Sequence, residues 1–225
     1  MTHYAIIVAG GTGSRFGSAI PKQFLPLAGL PVLMHSITRF IDALARVIVV
    51  LPREQVNLWH DLCQQYTFSL PVSIVTGGDS RFQSVKNALS TIDATPGDVI
   101  AVHDGVRPLV TAEVIKNAYT EAAIHGSAIP VVPVTDSIRE IDGDHSAAID
   151  RSRLVAVQTP QAFNAAMLKN AYNVAFDPSF TDDASVVERA GHSIHLINGD
   201  TCNIKITHPG DIEIAEILLK RGKPC

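Results

Sequence analysis

Cysteine is scarce: the chain holds three in 225 residues, Cys63, Cys202 and Cys225, widely spaced and without a CxxC pair. Such usage argues against a disulfide framework and against a cysteine zinc site, and it leads us to expect a reducing, cytoplasmic setting. No apolar run approaches the ~20 residues a spanning helix needs, since Val47 to Leu51 is closed off by Arg46 and by Pro52-Arg53. The N-terminus passes from Met1 into the apolar stretch Ala5 to Ala9 with no basic segment and no long apolar core, so no export signal is expected. Excess positive charge is missing as well. A formal net charge of -4 gives no general field with which to follow a nucleic acid or an acidic membrane. These absences leave a soluble protein with small-molecule partners, and 46% hydrophobic against 18% charged residues suffices for one globular domain over residues 1–225.

Familiar catalytic signatures are also missing. A dinucleotide site needs GxGxxG leading straight into a helix and an acid at the end of the second strand. Here the glycines run GGxGxxxG from Gly10 to Gly17, Pro21 follows, and the second strand ends in Pro52-Arg53. No lysine completes a GxxxxGK[ST] phosphate loop. Nucleophile-base triads and paired carboxylates at workable spacing do not occur either. The nine histidines are scattered, and His192 and His195, three apart beside a possible strand, give no reason to expect metal ligation.

What is present is a rhythm of short β-branched runs and longer helical segments, the pattern of βα units around a buried, mainly parallel sheet. It predicts strands at Tyr4 to Ala9, Ala45 to Leu51, Val72 to Thr76, Val99 to His103, Ala128 to Val134 and Leu154 to Gln158. Helices are predicted at Val32 to Phe40, Gln55 to Tyr66, Gln83 to Ile92, Thr111 to His125, Asn164 to Phe176, Asp182 to Ala190 and Asp211 to Lys220. The fold class is therefore α/β: Rossmann-like, three-layered, with a mainly parallel central sheet. One stretch departs from it. Ser137 to Arg151 alternates polar and apolar residues around Asp142-Gly143-Asp144, a hairpin signal that fits a projecting arm, whether solvated or used to form a dimer.

In open α/β sheets ligands bind beyond the carboxyl ends of the strands. Three such loops pair glycine with arginine: Gly10-Gly11-Thr12-Gly13-Ser14-Arg15, Gly77-Gly78-Asp79-Ser80-Arg81 and Asp104-Gly105-Val106-Arg107-Pro108. Glycine lets the backbone approach an anion closely and offer its N–H groups. With Arg15 and Lys22 nearby, a polyphosphate is the natural ligand, and phosphoryl or nucleotidyl transfer the natural chemistry. Asp182 has a simpler reading as the cap of the helix that follows it, and His103 is read as structural.

The string Ala9 to Phe16 with Pro21-Lys22-Gln23-Phe24-Leu25 resembles the signature of the sugar-phosphate nucleotidyltransferases. Adding Gly78-Asp79-x-Arg81-x-x-Ser84-Val85, Val102 to Pro108, Gln158-Thr159-Pro160-Gln161, Thr181 to Ser185 and Asn203 to Thr207, the chain resembles the 2-C-methyl-D-erythritol 4-phosphate cytidylyltransferases over nearly its whole length. The resemblance implies that Ala9, Gly10, Gly11 and Gly13, with Arg15 and Lys22, hold the triphosphate of CTP, and that Gly78, Asp79 and Ser84 read cytosine and ribose. It implies magnesium on Asp104. It places substrate phosphate near Arg107, Thr159, Thr181 and Lys205, with Ser137 and Arg151 reached from the arm at about 137–151 of a second subunit, hence a homodimer with shared sites. Arg15, Lys22 and Lys205 become the catalytic cations of a direct in-line transfer. Ser137 replaces the family's usual threonine and keeps the hydroxyl. Gly105 replaces the usual alanine and is expected to loosen the turn beside Asp104. The ribitol-5-phosphate cytidylyltransferases share several of these blocks and are the rival reading. A binding module without catalysis is a second.

Overall fold

The protein is described here by a computed structural model covering residues 1–10 and 20–221. In chain order its strands are β1 (His3–Val8), β2 (Pro26–Leu27), β3 (Leu30–Pro31), β4 (Arg46–Leu51), β5 (Val72–Thr76), β6 (Val99–Asp104), β7 (Ser127–Pro133), β8 (Ile138–Asp142), β9 (His145–Ile149), β10 (Val155–Val157), β11 (Gln161–Asn164) and β12 (Leu196–Asn198). The helices are α1 (Val32–Asp42), α2 (Val56–Gln65), α3 (Arg81–Ser90), α4 (Ala112–His125), α5 (Ala165–Ala171), α6 (Asp183–Arg189) and α7 (Gly210–Arg221).

The main sheet runs β10-β7-β11-β6-β1-β4-β5, with β12 joined to β7. Strand β1 lies parallel to β4 on one side and to β6 on the other, so the chain reverses its direction of travel across the sheet at β1, the place where such sheets open a ligand crevice. Alternation along each strand divides the core into two layers. Ala5, Ile7, Val47 and Val49 face Leu33, Met34, Ile37 and Phe40 of α1, Trp59 of α2 and Ile115 of α4. Tyr4, Ile6, Ile48 and Val50 face Phe82, Val85 and Leu89 of α3, Leu168 of α5 and Val186 of α6. The single tryptophan is thus a core residue, 1% exposed. A third apolar group, including Leu27, Val106, Ile206 and Ala215, seats α7.

Every strand and helix expected from the sequence is present within a few residues, and the class, a mostly parallel sheet between helical layers, is as expected. The differences are local. The helix expected over Asn164 to Phe176 stops at Ala171, where Tyr172 turns inward: its ring stacks on Phe82 at 4.8 Å and its hydroxyl donates to Asp183 Oδ1 at 2.6 Å. Strand β11 was not foreseen. Four residues are too few for a period to show, and its antiparallel pairing with both β6 and β7 is decided by long-range contacts. Cys63 is a free thiol.

Strands β8 and β9 pair only with each other, residues 139–153 are all exposed, and Ile141 is 77% exposed. The Asp142-Gly143-Asp144 turn has Gly143 at φ 56°, the left-handed conformation that favours glycine. At its base the Arg151 guanidinium donates to the Thr135 carbonyl. No helix among the described residues is long and apolar enough to cross a membrane.

Candidate active site

The loops after β1, β5 and β6 meet at the carboxyl end of the sheet around a cavity of about 400 Å³, lined by Ala9, Gly10, Lys22, Gly78, Asp79, Ser84 and Asp104 among others. Lys22 opens a 3-10 turn after Pro21. The neighbouring Gln23, 1% exposed, fixes this turn to the start of the glycine loop: its amide donates to the Ala9 carbonyl at 2.8 Å and to Gln55 Oε1 at 2.7 Å. On the far wall, Ser80 caps α3 by accepting from the Gln83 N–H. The buried Ser84 hydroxyl accepts from the Gly78 N–H at 3.1 Å, which holds that glycine loop onto the helix.

Asp104 ends β6 and forms the electrostatic centre. Its carboxylate lies 3.0 Å from Lys205 Nζ, 3.3 Å from Arg107 Nε and 4.0 Å from Arg81 Nε. Burial alone would raise its pKa, but the charges of Arg81, Lys205 and Arg107 outweigh that effect and hold the carboxyl well below its usual range. It is therefore ionised throughout the neutral range. Arg81 faces a second, fully buried carboxylate, with Nη2 to Asp183 Oδ2 at 2.6 Å. Burial opposes its charge, yet Asp183 and Asp104 more than restore it. Asp183 is completed by the Tyr172 hydroxyl and by its own N–H donating to Gln161 Oε1 at 3.0 Å.

Behind Asp104 lies a chain of hydrogen bonds whose directions can be derived. His103 is buried, and desolvation lowers its pKa to about 4, so the ring is neutral. The Arg107 carbonyl, 3.1 Å from His103 Nε2, can only accept, which puts the ring proton on Nε2. Nδ1 is then an acceptor, and the Thr159 hydroxyl donates to it at 3.1 Å. The same oxygen accepts from the Asp104 N–H at 3.1 Å. Arg107 is braced from another side, donating to the Asn203 carbonyl at 2.7 Å, while the Asn203 amide donates to the Thr159 carbonyl at 2.9 Å.

The expected looseness at Gly105 is not what the structure shows. Its N–H donates to the Val8 carbonyl at 2.9 Å, and its carbonyl accepts from the Ser36 hydroxyl at 3.0 Å. A Cβ added there would come within 3.0 Å of the Ala9 Cβ and 3.2 Å of the Val8 oxygen. Glycine permits this close approach, and the turn is pinned.

The structure thus gathers Ala9, Gly10, Lys22, Gly78, Asp79, Ser84, Asp104 and Lys205 about one cavity, with Arg107 and Thr159 in contact with Asp104. Gly11, Gly13 and Arg15 lie outside the described residues. Ser137, Arg151 and Thr181 are exposed and are not among the residues lining this cavity. Asp182 caps α6, accepting from the Ser185 N–H at 2.9 Å, as its position suggested. Sequence reasoning quoted Arg81 within a motif without giving it a role, and it missed Asp183 as the partner of Arg81. The arginine following a glycine loop was the available signal; its partner, 102 residues away, left none.

Comparison with known proteins identifies the family. The sequence pattern of the family described as 2-C-methyl-D-erythritol 4-phosphate cytidylyltransferase matches residues 3–221. The chain belongs to this family. Cytidylyltransferases of that name are 49% identical in Bacteroides thetaiotaomicron, over 97% of this chain and 100% of that protein, and 38% identical in Bacillus licheniformis, over 99% and 98%. The solved cytidylyltransferase from Thermus thermophilus is 30% identical and superimposes with a TM-score of 0.80, covering 98% of this chain and 100% of that one. The family's activity requires a cavity that accepts polyphosphate, and the one described here has the charge to do so.

Magnesium fits the donor set at Asp104. Mg²⁺ prefers hard oxygen ligands and is commonly held by one or two carboxylates, substrate phosphates and water. The buried, ionised carboxylate of Asp104 in the lining of the cavity offers one such ligand.

Proposed function

We propose that the chain transfers the cytidylyl group from CTP to 2-C-methyl-D-erythritol 4-phosphate, releasing pyrophosphate, as a step in making isoprenoid precursors. The observation that carries this reading is the convergence of Lys22, Arg81 and Lys205 on the cavity that Asp104 lines, with Arg107 paired to Asp104 beside it. A phosphate oxygen of the polyol attacks the α-phosphorus of CTP; the new P–O bond forms as the bond to the β-phosphate oxygen breaks, and pyrophosphate leaves with that electron pair. No protein nucleophile is needed. The residues bring two mutually repelling anions together and stabilise the charge that grows on the α-phosphate and the leaving group.

Lys22, together with Arg15, is assigned to the triphosphate, and Lys205 to the point where the attacking phosphate meets the α-phosphate. Lys205 is 47% exposed on its side chain, which gives it room to leave Asp104 for a ligand. Gly78, Asp79 and Ser84 are assigned to the cytidine, and Arg107, Thr159 and Thr181 to the substrate side. Asp104 would hold Mg²⁺, which when bound would neutralise phosphate oxygens. The arm supports a homodimer, with Ser137 and Arg151 serving the neighbouring subunit's site, and the scarcity of cysteine supports a cytoplasmic location.

Pyrophosphate release from CTP tests the reaction. It is expected to depend on 2-C-methyl-D-erythritol 4-phosphate, to be far slower with ribitol 5-phosphate, and to fall about a hundredfold to a thousandfold in Lys22→Ala or Lys205→Ala. Release from CTP alone, or equal turnover with both polyols, would contradict it. For the shared site, mixing Lys22→Ala with Arg151→Ala subunits should restore part of the activity, and no recovery would remove the arm from the site.

A further inference from the structure

The amino end of the sheet, away from the cavity, carries a second group of chemically capable side chains. Helix α4 follows β6 and runs back along the sheet, so its last turn lies at the end opposite Asp104. That turn presents Glu121 and His125, four residues apart and hence on one face. His195 comes to the same place from the segment leading into β12, which runs parallel to β7 from its first residues. Glu121 Oε2 lies 3.3 Å from His125 Nε2 and 3.5 Å from His195 Nε2. The three ligand atoms are all within 4.8 Å of one another.

We propose that Glu121, His125 and His195 form a site for a divalent transition-metal ion of the zinc type. The spacing is also that of coordination. Tetrahedral sites with bonds of ~2.0–2.1 Å place neighbouring ligand atoms about 3.3 Å apart, and both carboxylate–imidazole contacts match that edge. Charge-assisted N–H···O bonds are shorter, about 2.7–2.9 Å. Two imidazoles and one carboxylate suit zinc, cobalt or nickel and not magnesium, which takes oxygen ligands.

The ligands are also held in advance. The His195 N–H donates to the buried Ser127 hydroxyl at 3.0 Å, and its carbonyl accepts from the Ile129 N–H at 2.9 Å, so both main-chain groups are anchored to β7. His125 is the final residue of α4, which Gly126 closes at φ 85°. The two imidazoles stack with centroids 4.0 Å apart and 19° between planes, so each ring must turn about its side-chain torsions to bring its in-plane nitrogen lone pair onto a shared ion. Their side chains are 44% and 39% exposed and that of Glu121 is 35% exposed, which leaves water access to a fourth position. A bound ion would fasten the end of α4 to the segment before β12, 70 residues further along the chain.

Cobalt(II) titration of the full chain, purified without a histidine tag and in magnesium-free buffer, tests the site. The expected result is one equivalent per chain with the visible absorption of a tetrahedral cobalt centre, displaced by zinc. His125→Ala, His195→Ala and Glu121→Gln should each weaken binding about tenfold or more, whereas Asp104→Asn should leave it intact. All three ligand variants should keep the wild-type pyrophosphate-release rate, which shows that they fold. Zinc should raise the melting temperature of the wild type and not of His125→Ala. Absence of saturable binding, retention of it in both histidine variants, or its loss in Asp104→Asn would overturn the proposal.

Discussion

Thr159 holds the turn that carries Asp104 by using both faces of one oxygen. Its hydroxyl proton goes to neutral His103 and its lone pair takes the Asp104 N–H. Valine has nearly the same shape and neither function, so Thr159→Val leaves a buried N–H and a buried ring nitrogen without partners. We predict a loss of about 1–3 kcal/mol in stability, read from urea unfolding, together with slower pyrophosphate release as Asp104 loses its position. Thr159→Ser keeps the oxygen and should restore most of both. A loss in the serine variant with none in the valine variant would assign the effect to the methyl group instead.

Helix α6 shows how an element's ends can serve a site at a distance. Asp182 and Ser185 form a capping box, and the Gln161 amide donates to the other Asp182 oxygen at 2.8 Å. The first residue of that helix is Asp183, the counter-ion of Arg81. Loss of the cap in Asp182→Ala should cost about 1 kcal/mol, measurable in chemical denaturation, while Asp182→Asn should cost less because asparagine also caps. The loops behave similarly: Ser80 and Ser84 on α3 secure the Gly78 segment. Those elements were legible because their periods are long and their caps lie within three residues. The pairing of Gln161 with α6 spans 21 or more residues and carries no such local mark.

At the scale of the molecule, burial of His103 makes stability depend on pH. Its pKa falls to about 4 in the folded chain against 6.5 for the free group, so the unfolded chain binds more protons between those values. Stability is then fully present above about pH 6.5 and is lost as the pH falls toward 4. His35, lowered chiefly by burial, acts in the same direction. Between about pH 7 and about pH 5 His103 alone should remove about 2 kcal/mol, to be checked by urea titrations at the two pH values. A flat profile would mean that the ring is protonated in the native state. The layered α/β arrangement, the capped helices, the hairpin and the glycine loops with their cations could be read along the chain, because periodicity, capping and turn chemistry act over a few residues. That Arg81 pairs with Asp183, that His103, Thr159 and Asp104 form one hydrogen-bonded unit, and that His125 meets His195 emerged only from the folded arrangement. Those contacts join residues tens of positions apart, and they are set by strand order and packing.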